Sequence, residues 1–174
     1  VGASNGFNLY SPTFHRRLRR SELPLIAKDF GQAVVTAHEA GFDSVEVHAG
    51  HGYLISQFLS PWTNRRRDEF GGSLENRMRF MNMCLEEVME QAAKHKMAVL
   101  VKHNMEDGFR SGIQIPESIE IAKQIESFGV DGIVLSSGFV SRAPMAVMRG
   151  RIPTKTMGYY MPWSQWPQKI VVSL

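Results

Sequence analysis

Gly41-Phe42-Asp43-Ser44-Val45-Glu46-Val47-His48-Ala49-Gly50 and Gly129-Val130-Asp131-Gly132-Ile133-Val134-Leu135-Ser136-Ser137-Gly138 are two versions of one pattern. Each runs from a glycine through an aspartate into a short stretch of β-branched and apolar residues, then stops at small residues and a second glycine. The first glycine suits the position just past a helix, and the stretch after it suits a strand. The two copies begin 129 − 41 = 88 residues apart. Between them lies Ala98-Val99-Leu100-Val101-Lys102, a nearly continuous apolar run of the kind a strand buried on both faces shows. Three helix–turn–strand units of about 44 residues result, the spacing of a (β/α) barrel or of a doubly wound sheet. The fold class is therefore α/β, with parallel strands expected at 44–48, 98–102 and 132–136 and right-handed crossovers between them.

The flanking segments supply the helices. Ser21 is a candidate N-cap, Pro24 fits a first turn, and Leu23, Ile26, Phe30, Ala33, Val34 and Ala37 recur at helical spacing up to Gly41. Ser73 is the N-cap expected for a second helix, with Glu75 in its first turn and Leu74, Met78, Met81, Leu85, Val88 and Ala92 on one face. A third helix is expected from about Pro116 to Phe128. Residues 1–20 read as an irregular lead, and 139–174, with four prolines, do not continue the helix–strand rhythm. A complete (β/α)₈ barrel takes about 250 residues. Three strands in 174 residues therefore read as a small open sheet or as part of a barrel.

Composition narrows the function classes. The chain is 43% hydrophobic and 21% charged, as an ordinary globular domain is. It has no apolar run of the length a membrane span needs. Cys84 is the single cysteine, so no internal disulfide and no cysteine-built zinc or iron–sulfur site is expected; a reducing cytoplasm fits. Net charge is a modest +3. Two basic runs, His15-Arg16-Arg17-Leu18-Arg19-Arg20 and Arg65-Arg66-Arg67, come without any nucleic-acid-binding motif and read as solvated loop ends.

In parallel α/β folds the chemistry sits where strands end at their C-terminal side. The first strand delivers His48-Ala49-Gly50-His51-Gly52-Tyr53, the second Lys102-His103-Asn104, the third Ser136-Ser137-Gly138. His48 and His51 read as a metal pair, as two hydrogen-bond donors that polarise a carbonyl or hold an anion, or as residues that simply fill a Gly-rich turn. No carboxylate at a strand end completes a metal set. Tyr53 carries a proton to give at neutral pH, or else packs beside Leu54 and Phe58. Lys102 ends an apolar strand, so it meets an anion there, either a ligand or a protein carboxylate.

These residues resemble a known family. His48-Ala49-Gly50-His51-Gly52-Tyr53-Leu54-Ile55-Ser56-Gln57-Phe58-Leu59-Ser60-Pro61, followed by Asn64-Arg65-Arg66-Arg67-Asp68-Glu69-Phe70-Gly71-Gly72-Ser73-Leu74-Glu75-Asn76-Arg77, is similar to the motif of the Old Yellow Enzyme family of FMN-dependent NAD(P)H oxidoreductases. The resemblance covers about residues 7–150. It implies a partial TIM (β/α)₈ barrel, strands four to six of the whole, with residues 1–150 as the central part of the domain and 151–174 as a divergent tail. It further implies an ene-reductase: an enzyme that uses FMN, with NADH or NADPH as reductant, to reduce activated C=C bonds of enones or enals. By the same resemblance, the positions of His48 and His51 hold the carbonyl oxygen, that of Tyr53 protonates the α-carbon, and that of Lys102 faces the flavin. The family's phosphate-binding strands fall outside the match, so weak FMN binding by this chain alone is expected. Small molecules are the expected partners, with no nucleic acid and no membrane, and a homo-oligomer is compatible. Two other readings stay open: a non-catalytic half-barrel that binds a partner, and a metal hydrolase built on the two histidines.

Overall fold

The computed structural model describes residues 1–8, 12–142, 147 and 170–171. It opens with a short antiparallel hairpin, β1 (Gly6–Asn8) against β2 (Thr13–His15), and a 3₁₀ turn at Arg20–Glu22. Then come α1 (Leu23–Glu39), β3 (Ser44–Ala49), α2 (Leu54–Leu59), α3 (Leu74–His95), β4 (Ala98–Asn104), α4 (Ile115–Ser127), β5 (Gly132–Ser136) and β6 (Ile170–Val171). The sheet order is β3-β4-β5-β6, and every neighbouring pair is parallel.

The three expected strands are present, parallel and in chain order, extended by one residue in β3 and two in β4. β6 adds a fourth, drawn from the region expected to be irregular; most of that region lies outside the described residues. The hairpin corrects the irregular lead. Ser73 does cap α3, accepting the Asn76 N–H at 3.3 Å. Ser21 is not the cap of α1. It sits within the 3₁₀ turn, where the Glu22 carboxylate reaches back to the Arg19 N–H at 2.6 Å and takes the capping role instead.

Alternation along the strands separates two faces. Val47, Ala49, Val99, Val101 and Ile133 point into one core with Val34 of α1, Phe80, Met81, Leu85 and Val88 of α3, and Ile121, Ala122 and Ile125 of α4. Cys84 is fully buried there, its thiol pushed up to about 12 by burial, as an inert core residue should be. The opposite face carries Glu46, His48, Lys102, Asn104 and Ser136. Register pairs His48 with Lys102 and Asn104 with Ser136.

The second arginine run is not a solvated loop end throughout. Arg66 has a side chain 1% exposed. It pairs in bidentate fashion with Asp68 at 2.9 and 2.8 Å and donates to the Ala3 and Leu18 carbonyls. Its guanidinium lies 5.5 Å from the Phe58 ring centroid and 5.9 Å from that of Phe70. Those bonds tie the N-terminal segment to the loop before α3. Buried Arg77 similarly joins the end of α2, through the Leu59 carbonyl, to Glu117 of α4. Among the described residues no helix is long and apolar enough to cross a membrane.

Candidate active site

The turn after β3 carries three of the candidate side chains, and its backbone explains how. Gly50 follows the strand where an added Cβ would stand 2.7 Å from Asn104 Oδ1, so only glycine fits beneath the next residue. His51 then takes a left-handed conformation, φ 59°, which costs a non-glycine residue of order 1–3 kcal/mol unless its surroundings hold it. They do: the His51 N–H donates to Asn104 Oδ1 at 3.1 Å, and its carbonyl accepts the Val140 N–H at 3.1 Å. Gly52 repeats the left-handed conformation, φ 85°, with the Phe139 ring so close that a Cβ would lie 2.3 Å from it. Ser56 Oγ accepts the Gly52 N–H at 3.1 Å, and Tyr53 stands as N-cap residue of α2.

The turn brings His48, His51 and Tyr53 together. The two imidazoles meet edge to face, centroids 4.9 Å apart at 88°, and the Tyr53 ring is centred 5.0 Å from His48. Tyr53 is 54% exposed, so its hydroxyl belongs to a surface a ligand can reach. His48 Nδ1 accepts the Gly50 N–H at 3.2 Å, so the neutral ring keeps its own proton on Nε2. Half-burial holds the His48 pKa below the ordinary imidazole value, and the Lys102 cation pushes in the same direction; Glu46 opposes both. A neutral imidazole with one outward N–H is thus the favoured state. His51 Nε2 lies 2.6 Å from Ser136 Oγ.

Lys102 is paired within the protein. Its ammonium is 2.6 Å from Glu46 Oε1, both side chains about one-third exposed or less (27% and 34%). Of the two anions the sequence allows at Lys102, a ligand or a protein carboxylate, the structure shows the carboxylate, that of Glu46. Glu46 was missed. Its signal was the strand alternation, since residue 46 shares a face with residue 48.

Asn104, placed at the second strand end by the sequence but given no role there, is the hub of the turn. Fully buried, it accepts from His51 N–H and donates to the Gly138 carbonyl at 2.7 Å and to Asp107 Oδ1 at 3.1 Å. Two acceptors on one side and a donor on the other fix which way its amide points. One side chain thereby joins the loops after β3, β4 and β5. Burial pushes the Asp107 carboxyl up, while hydrogen bonds from Ser60, Ile113 N–H and Asn104 pull it back. Over this frame Trp62, Phe109 and Phe139 pack edge to face, with the Arg142 guanidinium 4.8 Å from the Trp62 centroid and 4.9 Å from that of Phe109. Among the described residues no three His, Cys, Asp or Glu side chains gather as a metal-holding group.

Comparison with known proteins follows the same residues. The model of the NADH:flavin oxidoreductase / NADH oxidase family matches residues 2–158. A 4,4'-dithiodibutanoate disulfide reductase of Rhodococcus erythropolis is 38% identical over 134 residues, covering 76% of this chain and 33% of its own length. An NADPH dehydrogenase of Bacillus subtilis (strain 168) is 42% identical over 123 residues, 71% of this chain and 36% of its own. Among solved structures, a complex of 2-naphthoyl-CoA reductase with 2-naphthoyl-CoA superposes with TM-score 0.82 at 28% identity, over 92% of this chain and 24% of that one. An old yellow enzyme homologue from Zymomonas mobilis does so with TM-score 0.74 at 26% identity, over 99% of this chain and 50% of that one. The chain thus spans about a third of the length of these two curated relatives.

Proposed function

Because this chain belongs to the NADH:flavin oxidoreductase / NADH oxidase family, we propose that it forms the substrate-activating part of an FMN-dependent ene-reductase. Its substrate class is the α,β-unsaturated carbonyl compound, an enone or enal. Strands β3, β4 and β5 are read as consecutive members of a (β/α)₈ barrel whose central portion is residues 1–150. The observation that carries the reading is the meeting of two imidazoles and an exposed phenol at one strand end, with a cation on the neighbouring strand.

The residues present fit a flavin. Lys102 is a cation on the open face, in register with His48, and its carboxylate partner keeps it extended there. Lys102 would help to hold the group there, and its positive charge would favour the anionic reduced form. FMN, when bound, would supply to the β-carbon a hydride that came from NADH or NADPH. This chain's side chains do the rest. His48 offers Nε2–H, and His51 a second N–H, to the carbonyl oxygen. Both bonds strengthen as that oxygen gains enolate charge, so they stabilise the transition state more than the substrate. Tyr53 delivers its hydroxyl proton to the α-carbon, and its exposure at the mouth of the turn lets solvent restore the proton.

Anaerobic stopped-flow on the flavin-loaded protein separates the two half-reactions. Tyr53→Phe is expected to slow enone reduction about 10²–10⁴-fold, the usual cost of a lost general acid, and to leave flavin reduction by NAD(P)H intact. Wild-type enone reduction in that variant would return Tyr53 to a packing role beside Leu54.

A further inference from the structure

The aromatic group beside the site carries a cation that the chemistry above does not use. Trp62 follows α2, Phe109 lies in the loop after β4 and Phe139 in the loop after β5, so all three stand at the C-terminal side of the sheet. Their ring centroids are 5.3–5.9 Å apart. Phe139 fastens the group to the turn. Its ring is what a Cβ on Gly52 would strike, its backbone bridges His51, and the next residue, Val140, donates its N–H to the His51 carbonyl. A tight turn, closed by the Arg142 N–H on the Phe139 carbonyl at 3.0 Å, then brings Arg142 back to the rings. Its guanidinium lies 4.8 Å from the Trp62 centroid and 4.9 Å from that of Phe109. Arg142 is exposed and, among the described residues, pairs with no carboxylate.

We propose that Arg142 is a specificity-determining residue, which takes the carboxylate of a substrate whose unsaturated carbonyl lies at His48, His51 and Tyr53. The proposal rests on the ene-reductase reading of that turn. A guanidinium laid against aromatic rings is held through its face, and the N–H donors along its edge stay free. That edge matches a carboxylate with two parallel bonds. One cation balances one negative charge, so a carboxylate fits Arg142 better than a phosphate dianion does. Lys102, the cation on the strand face, is already balanced by Glu46. The ground between the guanidinium and the turn is the Trp62 and Phe139 rings, so the part of the substrate that joins its two ends is apolar. The favoured substrate is thus an enone or enal with a carboxylate at the far end of an apolar chain or ring.

Binding without turnover is the first test. A cyclohexanone bearing a carboxyhexyl chain, and its methyl ester, are titrated by calorimetry into the oxidised, flavin-loaded protein. The wild type is expected to bind the acid about 10-fold more tightly than the ester, the low end for a bond to a charged group because Arg142 is open to water. Added salt should shrink the difference. In Arg142→Gln the acid-to-ester ratio is expected to fall to unity. In Arg142→Lys it should lie between, since the charge stays and the stacked fork is lost. Each ratio is taken within one variant, so any general loosening of the rings cancels. Equal affinities in the wild type, no binding of either compound, or an acid preference that survives in Arg142→Gln overturns the proposal. So does tighter binding of an alkyl phosphate of the same length than of the acid. The matching cyclohexenones should show the same preference in kcat/KM, lost in Arg142→Gln. A protein that reduces neither cyclohexenone, yet selects the saturated acid through Arg142, upholds the carboxylate site and overturns instead the ene-reductase reading.

Discussion

Lowering the pH should destabilise this protein through one buried histidine. His103 is fully buried on the helix-facing side of β4, one residue beyond Lys102. Ser118 Oγ donates its single hydrogen to the Asn104 carbonyl at 2.6 Å, so toward His103 Nε2, 2.8 Å away, it can only accept. His103 is therefore the Nε2–H tautomer, and its Nδ1 lone pair is buried without a partner. A second proton would land on Nδ1, desolvated and with nothing to donate to. Burial accordingly pushes the His103 pKa down from 6.5 to about 4, only partly offset by Ser118. The unfolded chain takes that proton below about 6.5, whereas the folded one refuses it until about 4. The contribution of neutral His103 is thus complete above 6.5 and is lost as pH falls toward 4. Integrating between those two values gives a loss of about 2–3 kcal/mol by pH 4.5. Urea unfolding at pH 8 and pH 4.5, for the wild type and for His103→Leu, isolates it. Other titrating groups, such as Asp68 and Glu22, act equally in both proteins and cancel. The wild type should lose about 2–3 kcal/mol more than the variant over that interval. Parallel losses would refute the assignment of a neutral, unpartnered imidazole.

Arg66→Ala should cost about 3–5 kcal/mol in thermal or urea unfolding, because it strips the buried partner from Asp68 and from the Ala3 and Leu18 carbonyls; a loss under 1 kcal/mol would mean that water replaces the guanidinium freely. Gly52→Ala should disorder the turn that carries His51 and Tyr53, since a Cβ there both meets the Phe139 ring and requires a left-handed alanine; a crystal structure with Tyr53 and Phe139 unmoved would refute it. In an NMR titration His48 should protonate at higher pH in Lys102→Met, which removes a nearby cation, and at lower pH in Glu46→Gln, which removes the opposing anion. Shifts of the other sign would show that the charges of Lys102 and Glu46 do not reach the His48 ring.

The parts of the fold that were legible in the sequence are those whose signal is long and local. α1, α3 and α4 each carry an apolar face over several turns, and β3, β4 and β5 are short β-branched or apolar runs, β3 and β5 each entered through a Gly-x-Asp turn. What escaped is short or non-local. β1 and β2 have three residues each and α2 has six, too few for any period to register. Arg66 looked like one of three surface arginines. Its burial depends on carbonyls 63 and 48 residues away, contacts that a charge pattern along the chain does not encode. β6 needs Ile170 and Val171 beside Ile133 and Val134, a pairing across a stretch with no helix–strand rhythm.

The site divides the same way. His48, His51 and Tyr53 were visible because one contiguous turn carries them all. Asn104 and Ser136 stood at strand ends without a role, because what they bond to is decided by the parallel register of three strands; Glu46 needed the strand alternation to be followed back from His48. That register is itself enforced by the chemistry. A one-residue slip of β4 would send Lys102 to the helix-facing side, among Val47, Ala49 and Ile133, and bring His103 to the open face. The lysine would then be buried without Glu46, at an effective cost of several kcal/mol, while Asn104 would lose its bonds to His51, Asp107 and Gly138 together. The cation and the amide that serve the site therefore also hold the strands in the alignment that creates it. This explains why the apolar residues of β4 alone, Val99, Leu100 and Val101, which would tolerate either face, do not leave the alignment undecided.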